Sequence, residues 1–391
     1  MDSQTIIDKD KAYVMHTYAR QPICALRASG ATFYDVDGTE YIDFAGGIGV
    51  NALGSGDAKW IEAVTAQLKK IAHTSNYYYA EPVVALAEKL VNIAGMRRAF
   101  FCNSGAEANE GALKLARKYS CDKYGGGRSA VITLKDSFHG RTLAALTMTG
   151  QDAFHRYFHP FAEGVRYAPA NDIGAMQALM GEDVCAVFIE PIQGEGGVHV
   201  LNTDYARALE SLCAEKDILL VCDEVQCGTG RTGRFFAYEY LGIKPDIVTV
   251  AKGIGGGLPL GVILGGEKCA DVFSFGDHGS TFGGNVAVCA GACEVTDRIA
   301  NEDFLAEVRK KGAYLMDKLK ALKSGKIVEV RGRGLMIGIQ VTGDVKNYIN
   351  KAQENGLLII GAGKDALRLL PPLVISYDEI DKGVAVLEKI L

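Results

Sequence analysis

The sequence predicts an α/β protein: a large domain with a mostly parallel sheet covered by helices, plus a smaller α+β domain formed by the chain ends. Three observations carry this expectation. Between about residues 99 and 265, short β-branched-rich runs (AFFC, AVITL, CAVFIE, ILLVC, DIVTV and GVIL) alternate with segments of helical spacing. Each run is apolar on successive positions, as strands buried on both faces are, and such strands belong to parallel sheets flanked by helices. Beyond about residue 287 the texture changes to that of an α+β unit. Finally, 391 residues are too many for one small core, which favours two or more units.

In chain order, TFYDVDGTEYIDF reads as two β runs turning at Asp37-Gly38. WIEAVTAQLKKIA and EPVVALAEKLVNIA have the apolar spacing of helices. After the alternating region, KIVEVRGRGLMIGIQV reads as a hairpin and DVKNYINKAQENG as a helix. LLII and ALRLL are two more strands, and DEIDKGVAVLEKIL is a closing helix. These changes of pattern divide the chain into an N-terminal segment, 1–50, joining the small domain, a large domain, 51–286, and a C-terminal domain, 287–391.

Composition narrows the function classes. A net charge of −5 argues against nucleic acid, whose binders carry a basic footprint. No apolar run approaches the roughly 18 residues needed to span a bilayer, and MDSQTIIDKDKAY lacks the basic start and apolar stretch of a secretory leader. Ten cysteines occur without a CxxC pair, a pattern of reduced thiols, so a cytoplasmic protein is expected. The 47 glycines cluster in particular loops, where backbone can turn sharply or approach a ligand.

In open α/β sheets, ligands bind beyond the carboxyl ends of the strands, and polar groups stand there in this sequence. After AFFC comes Asn103-Ser104-Gly105-Ala106-Glu107. A small-residue turn opening a helix offers free N–H groups to a phosphate; alternatively, Ser104 is only a helix cap. Asp223 and Gln226 follow ILLVC, and Lys252 follows DIVTV within a glycine-rich loop. A pyridine-ring aldehyde cofactor needs both groups: an amine to hold it as an imine and a carboxylate to keep its ring nitrogen protonated. Ser137-Phe138-His139-Gly140-Arg141 offers an aromatic face for a planar ring and a guanidinium for a carboxylate. Arg368 lies inside the apolar ALRLLPPLVI, where a charge has a partner or ligand unless the strand is an edge open to water. Three features are set aside: His155 and His159 have the spacing of a metal pair without a third ligand and read as part of a surface helix, so no metal site is expected. Cys289 and Cys293 read as one packed helix face. Tyr77, Tyr78 and Tyr79 could line a pocket.

These residues occur in an order that resembles the class III aminotransferases of fold type I. The resemblance runs from about Tyr18 to Val374 and rests on YARQPI, NSGAEANEGALKLARKY, SFHGRT, EPIQGEGGV, DEVQCGTGRTG, PDIVTVAKGIGGGLPLG, HGSTFGGN and LRLLPPLVI. It implies pyridoxal 5'-phosphate on Lys252 as a Schiff base, with Asp223 at the pyridinium nitrogen and Gln226 at the ring hydroxyl. It also implies Val225 and Phe138 on the two ring faces, and Ser104, Gly105 and Ala106 around the phosphate. Thr281 would reach the phosphate of a neighbouring subunit and Ser280 the substrate, which implies a homodimer with shared active sites. Arg141 would bind a distal carboxylate, and Arg368 the α-carboxylate of glutamate, masked by Glu195 when another substrate is present.

The implied reaction moves the terminal amino group of N-acetylornithine to 2-oxoglutarate, as in arginine biosynthesis. 4-Aminobutyrate, succinylornithine and ornithine are alternative donors, though Ile48 stands where ornithine-specific members place a tyrosine. An aminomutase and a non-catalytic binding protein are alternatives of other classes. The segment Gly54-Ser55-Gly56-Asp57-Ala58 departs from the family's histidine- and proline-containing pattern and leaves the local loop open.

Overall fold

Seven strands form the central sheet of the computed structural model, which describes residues 1–391. Their spatial order is Arg98–Cys102, Gly261–Gly265, Ile247–Val250, Leu219–Asp223, Val184–Ile189, Ala130–Leu134 and Val165–Ala168. All pairings are parallel except those of Gly261–Gly265, which is antiparallel to both neighbours. Every residue of the strands Ala130–Leu134, Val184–Ile189, Leu219–Asp223 and Ile247–Val250 is buried. That double-sided burial is what their uninterrupted apolar runs require. The outermost strand, Val165–Ala168, is only partly buried, and its polar VRYA sequence gave no strand signal.

A second sheet of strands Ile327–Arg333, Met336–Val341, Ala366–Leu369 and Ile360–Ala362 makes the C-terminal unit. The helix Tyr377–Ile390 opens with a reciprocal capping box between Ser376 and Glu379. LLII, expected to be one strand, is two: Leu357–Leu358 pairs in parallel with Glu40–Asp43 of the N-terminal sheet, and the strand beginning at Ile360 joins the C-terminal sheet. This split physically couples the chain ends. The Asp37-Gly38 turn joins Thr32–Asp35 antiparallel to Glu40–Asp43.

The helix Val286–Ile299, carrying buried Cys289 and half-buried Cys293, packs on the helices Ala58–Lys70 and Glu81–Ala94. On that packing we propose that the division into domains falls after this helix rather than at 286/287. The 54–58 segment is a structural joint. Ser55 bridges to Gly30, Gly54 is left-handed with no room for a Cβ beside Gly30, and Asp57 caps the helix that follows while pairing with Arg298 at 2.5 Å. No helix is long and apolar enough to cross a membrane.

Candidate active site

Five parallel strands end around one cavity of about 490 Å³. From Arg98–Cys102 the chain turns through Asn103 and Ser104 into the helix Gly105–Tyr124. The Ser104 hydroxyl accepts the Glu107 N–H, while the Glu107 carboxylate accepts from the Ser104 hydroxyl and the Asn103 N–H. Ser104 is therefore a helix cap, and it also lines the cavity with Gly105 and Ala106. The first N–H groups of a helix have no partner within it, and here the first two residues of the helix, Gly105 and Ala106, line the cavity. Gly105 must be glycine, since a Cβ would come within 2.7 Å of Val225.

Asp223, 2% exposed, ends its strand at the cavity floor. One carboxylate oxygen accepts from Asn109 Nδ2 at 2.7 Å and His139 Nδ1 at 2.8 Å, and the other accepts the Val225 N–H at 2.9 Å. Asn109 is fixed in turn by the hydroxyl of Thr249 and the carbonyl of His139. Burial opposes a charge on His139, but the Asp223 carboxylate outweighs it and raises the imidazole's pKa. Nearby Glu190, buried and pushed up to about 7 by desolvation, accepts the N–H groups of Phe138 and Gly194. It thus ties together two loops that flank the cavity.

Lys252 lines the same cavity in a left-handed conformation (φ +50). For a side chain of this size such a backbone costs roughly 1–2 kcal/mol, so the surrounding loop must impose it. Burial lowers its pKa, with Glu195 and Asp223 pulling the other way. Phe138 and Val225 also line the cavity. The guanidinium of Arg141 stands 4.0 Å over the ring of Phe154 and 5.5 Å from that of Phe138.

Arg368 lies on an interior strand of its sheet and is 3% exposed, so it is not an edge residue open to water. It makes a two-pronged pair with Glu195, Nη1 to Oε1 at 2.7 Å and Nη2 to Oε2 at 3.0 Å. Gln226, on the cavity wall, accepts from Arg368 at 2.8 Å and donates to Glu195 at 3.3 Å. Burial raises the Glu195 pKa, but Arg368 outweighs it and holds the carboxyl below its ordinary value.

Other residues fall elsewhere. Thr281 is exposed and, with Ser280, off the cavity wall; the Ser280 hydroxyl accepts from Asn103 at 3.2 Å. Tyr77, Tyr78 and Tyr79 are exposed. Ile48 is exposed in a left-handed conformation, and it is Val50 from that stretch that lines the cavity. His155 ends a four-residue helix that His159 lies beyond, so the two do not share a helix, and no cluster of metal-ligating side chains is present. Sequence reasoning assigned no role to Asn109, His139 and Glu190. The only available signal was that the three stand inside the motifs NSGAEAN, SFHGRT and EPIQGEGGV.

Residues 13–391 match the family model described as aminotransferase class-III. The chain is 47% identical to the acetylornithine aminotransferase of Haemophilus ducreyi, covering 100% of this chain and 99% of that one. Among solved structures, the ornithine aminotransferase of Toxoplasma gondii superimposes with a TM-score of 0.96 at 32% identity, over 100% of this chain and 95% of that one. Another structure of the Toxoplasma gondii ornithine aminotransferase, crystallized in the presence of oxidized glutathione, has partial occupancy of pyridoxal phosphate at its active site. The N-acetylornithine aminotransferase of Stenotrophomonas maltophilia matches with a TM-score of 0.85 at 35% identity, over 98% of each chain. With a family match across nearly its whole length and a relative this similar end to end, the chain belongs to the class-III aminotransferases.

Proposed function

We propose that this enzyme transfers the terminal amino group of N-acetylornithine to 2-oxoglutarate, giving N-acetylglutamate semialdehyde and glutamate. The observation that carries the reaction class is the meeting of Lys252, Asp223 and a helix N-terminus in one cavity. The donor rests on the 47% end-to-end identity to an acetylornithine aminotransferase. The greater structural overlap with an ornithine aminotransferase comes at 32% identity, and overlap of backbones reports the shared scaffold more than the choice of substrate.

The residues present fit pyridoxal 5'-phosphate. Gly105 and Ala106 offer N–H groups to the phosphate, Phe138 and Val225 offer apolar surface to the ring, and Asp223 stands ready for a protonated ring nitrogen. When bound, the cofactor supplies an electron-accepting ring in conjugation with the substrate's amino carbon. The chain's own groups do the rest. Asp223 keeps the ring-nitrogen proton in place, its charge buffered by Asn109 and His139. Lys252 Nζ holds the cofactor between turnovers and moves the proton on and off the amino-bearing carbon. Its burial favours the neutral amine that this task requires.

The two half-reactions make opposite demands on Arg368. Glutamate brings an α-carboxylate for it to bind, whereas a donor reacting through a terminal amine does not. Glu195 satisfies Arg368 in the second case and must leave in the first. Arg141 serves the carboxylate at the far end of either substrate. We further propose that the enzyme is a cytoplasmic homodimer in which Thr281 and Ser280 complete the neighbouring subunit's site; the exposure of Thr281 supports that arrangement.

A half-reaction panel tests the reading. The cofactor-loaded enzyme is mixed with N-acetylornithine, succinylornithine, ornithine, 4-aminobutyrate and glutamate in turn, and loss of the cofactor's visible absorbance is followed. N-acetylornithine is expected to react fastest of the donors, with 2-oxoglutarate restoring the spectrum. A faster reaction with 4-aminobutyrate or ornithine would overturn the donor assignment while leaving the site roles standing.

A further inference from the structure

Glu195 sits on the turn between two short antiparallel strands, Ile192–Gln193 and His199–Val200. Its turn is tied to the large domain by the Gly194 N–H, which donates to Glu190. The C-terminal domain holds it at further points. Arg331 Nε donates to the Gly197 carbonyl at 2.9 Å, and the Gly363 N–H donates to the carbonyl of Glu195 itself at 2.7 Å. Val198, fully buried with φ +61, lies against Gly338, where a Cβ would approach the Val198 Cβ to 2.9 Å.

The register of the C-terminal sheet explains why these contacts coincide. Arg331 is paired with Gly338, and Gly338 with Arg368, so the three form one row across adjacent strands. The first anchors the turn, the second leaves room for it, and the third receives its carboxylate. Arg331 is held in place by Glu329 at 2.8 Å and Gln340 at 3.0 Å, and Gln340 is bonded to Asp365. The side chain of Arg331 is only 10% exposed. A planar fork fixed on two sides and spending its Nε on one carbonyl is a positioning device rather than a solvated charge.

We propose that this row is the seat of the Glu195 turn, and that Arg331 is a positioning residue that holds Glu195 over Arg368 and so sets the balance between the two half-reactions. The inference rests on the exchange of Glu195 for a substrate carboxylate proposed above. With the anchor gone, the turn loosens, Arg368 is left unmasked, and the donor half-reaction loses while the glutamate half-reaction does not.

The experiment measures both half-reactions, with N-acetylornithine and with glutamate, on the loaded enzyme and on Arg331→Gln, Arg331→Lys, Gly338→Ala and Glu195→Ala. Arg331→Gln is expected to lower the rate constant per concentration for N-acetylornithine about tenfold and to leave that for glutamate within about twofold or raise it. Arg331→Lys retains one donor and should recover part of the loss. Gly338→Ala displaces Val198 without removing a charge, so it should produce the same asymmetry even if Arg331→Gln folds poorly. Equal losses in both half-reactions for Arg331→Gln and Gly338→Ala, alongside an asymmetric Glu195→Ala, would overturn the positioning role alone. A symmetric Glu195→Ala would overturn the exchange itself, and the inference with it.

Discussion

Two buried charged centres flank the cavity, and they are wired differently. Asp223 receives its donors from the helix Gly105–Tyr124, from the loop carrying His139 and from Val225, two residues further along the chain. Those donors are themselves bonded to Thr249 and Thr149, and all of them lie within residues 51–286. Arg368, by contrast, belongs to the C-terminal sheet and takes its carboxylate from Glu195, on a turn 173 positions earlier, with the Glu195 side chain 26% exposed. A centre whose partners are all fixed by packing has one arrangement and is preorganised for a single electrostatic task. A centre whose partner is partly exposed and delivered by a separate turn can exchange that partner for a ligand. The difference assigns constancy to the ring end of the site and alternation to the substrate end.

Removing the residue that both centres serve has the largest effect. Lys252→Ala is expected to abolish turnover while the protein folds and still takes up cofactor without a covalent link, because the phosphate cradle and Asp223 remain. Steady-state assays with melting curves check this, and retained activity would refute the role. Next, Asp223→Asn should slow both half-reactions alike, by on the order of 10²–10³, the scale for losing a preorganised electrostatic partner. A loss confined to one half-reaction would break the comparison, since a fixed centre cannot distinguish substrates. Arg368→Ala should do the reverse. The glutamate half-reaction is expected to fall about a hundredfold and the N-acetylornithine one less than about tenfold, because only glutamate needs that clamp. Equal losses would remove alternation from the substrate end.

How much of this was legible in the sequence follows the same division. Strand ends with a lysine, an aspartate or a glycine-opened helix are local patterns, so the cavity's principal residues could be read one at a time. The Asp223 supports could not: Asn109 lies 114 positions away and His139 84 positions away, and only folding brings them together. The direction of Gly261–Gly265 was equally hidden, since a doubly buried antiparallel strand is as apolar as a parallel one. LLII misled because four apolar residues served two sheets, a division set by the partners Glu40–Asp43 and Ala366–Leu369 rather than by LLII itself. Tyr77, Tyr78 and Tyr79, set aside as residues that could line a pocket, are exposed in this chain, since a row of aromatic residues does not itself say what covers it.

The smallest expected effect is one of pH, and it joins the two centres through the lysine between them. Only the neutral amine of Lys252 can capture the cofactor aldehyde, so capture by the cofactor-free enzyme should report the protonation of Nζ. Burial favours the neutral form and lowers the pKa below the ordinary 10.5, while the anions of Glu195 and Asp223 draw it back up. The rate of absorbance gain should therefore rise with pH and reach half its limit below the ordinary lysine value. Glu195→Gln removes the larger opposing anion and should move that midpoint lower still, because the charged amine then loses a partner. Asp223→Asn should move it in the same direction by less, following the order of the two influences. A midpoint at the ordinary value would mean that water reaches the amine freely. A midpoint left unchanged by Glu195→Gln would mean that Glu195 does not face Lys252 at all, and that the substrate end acts on Arg368 alone.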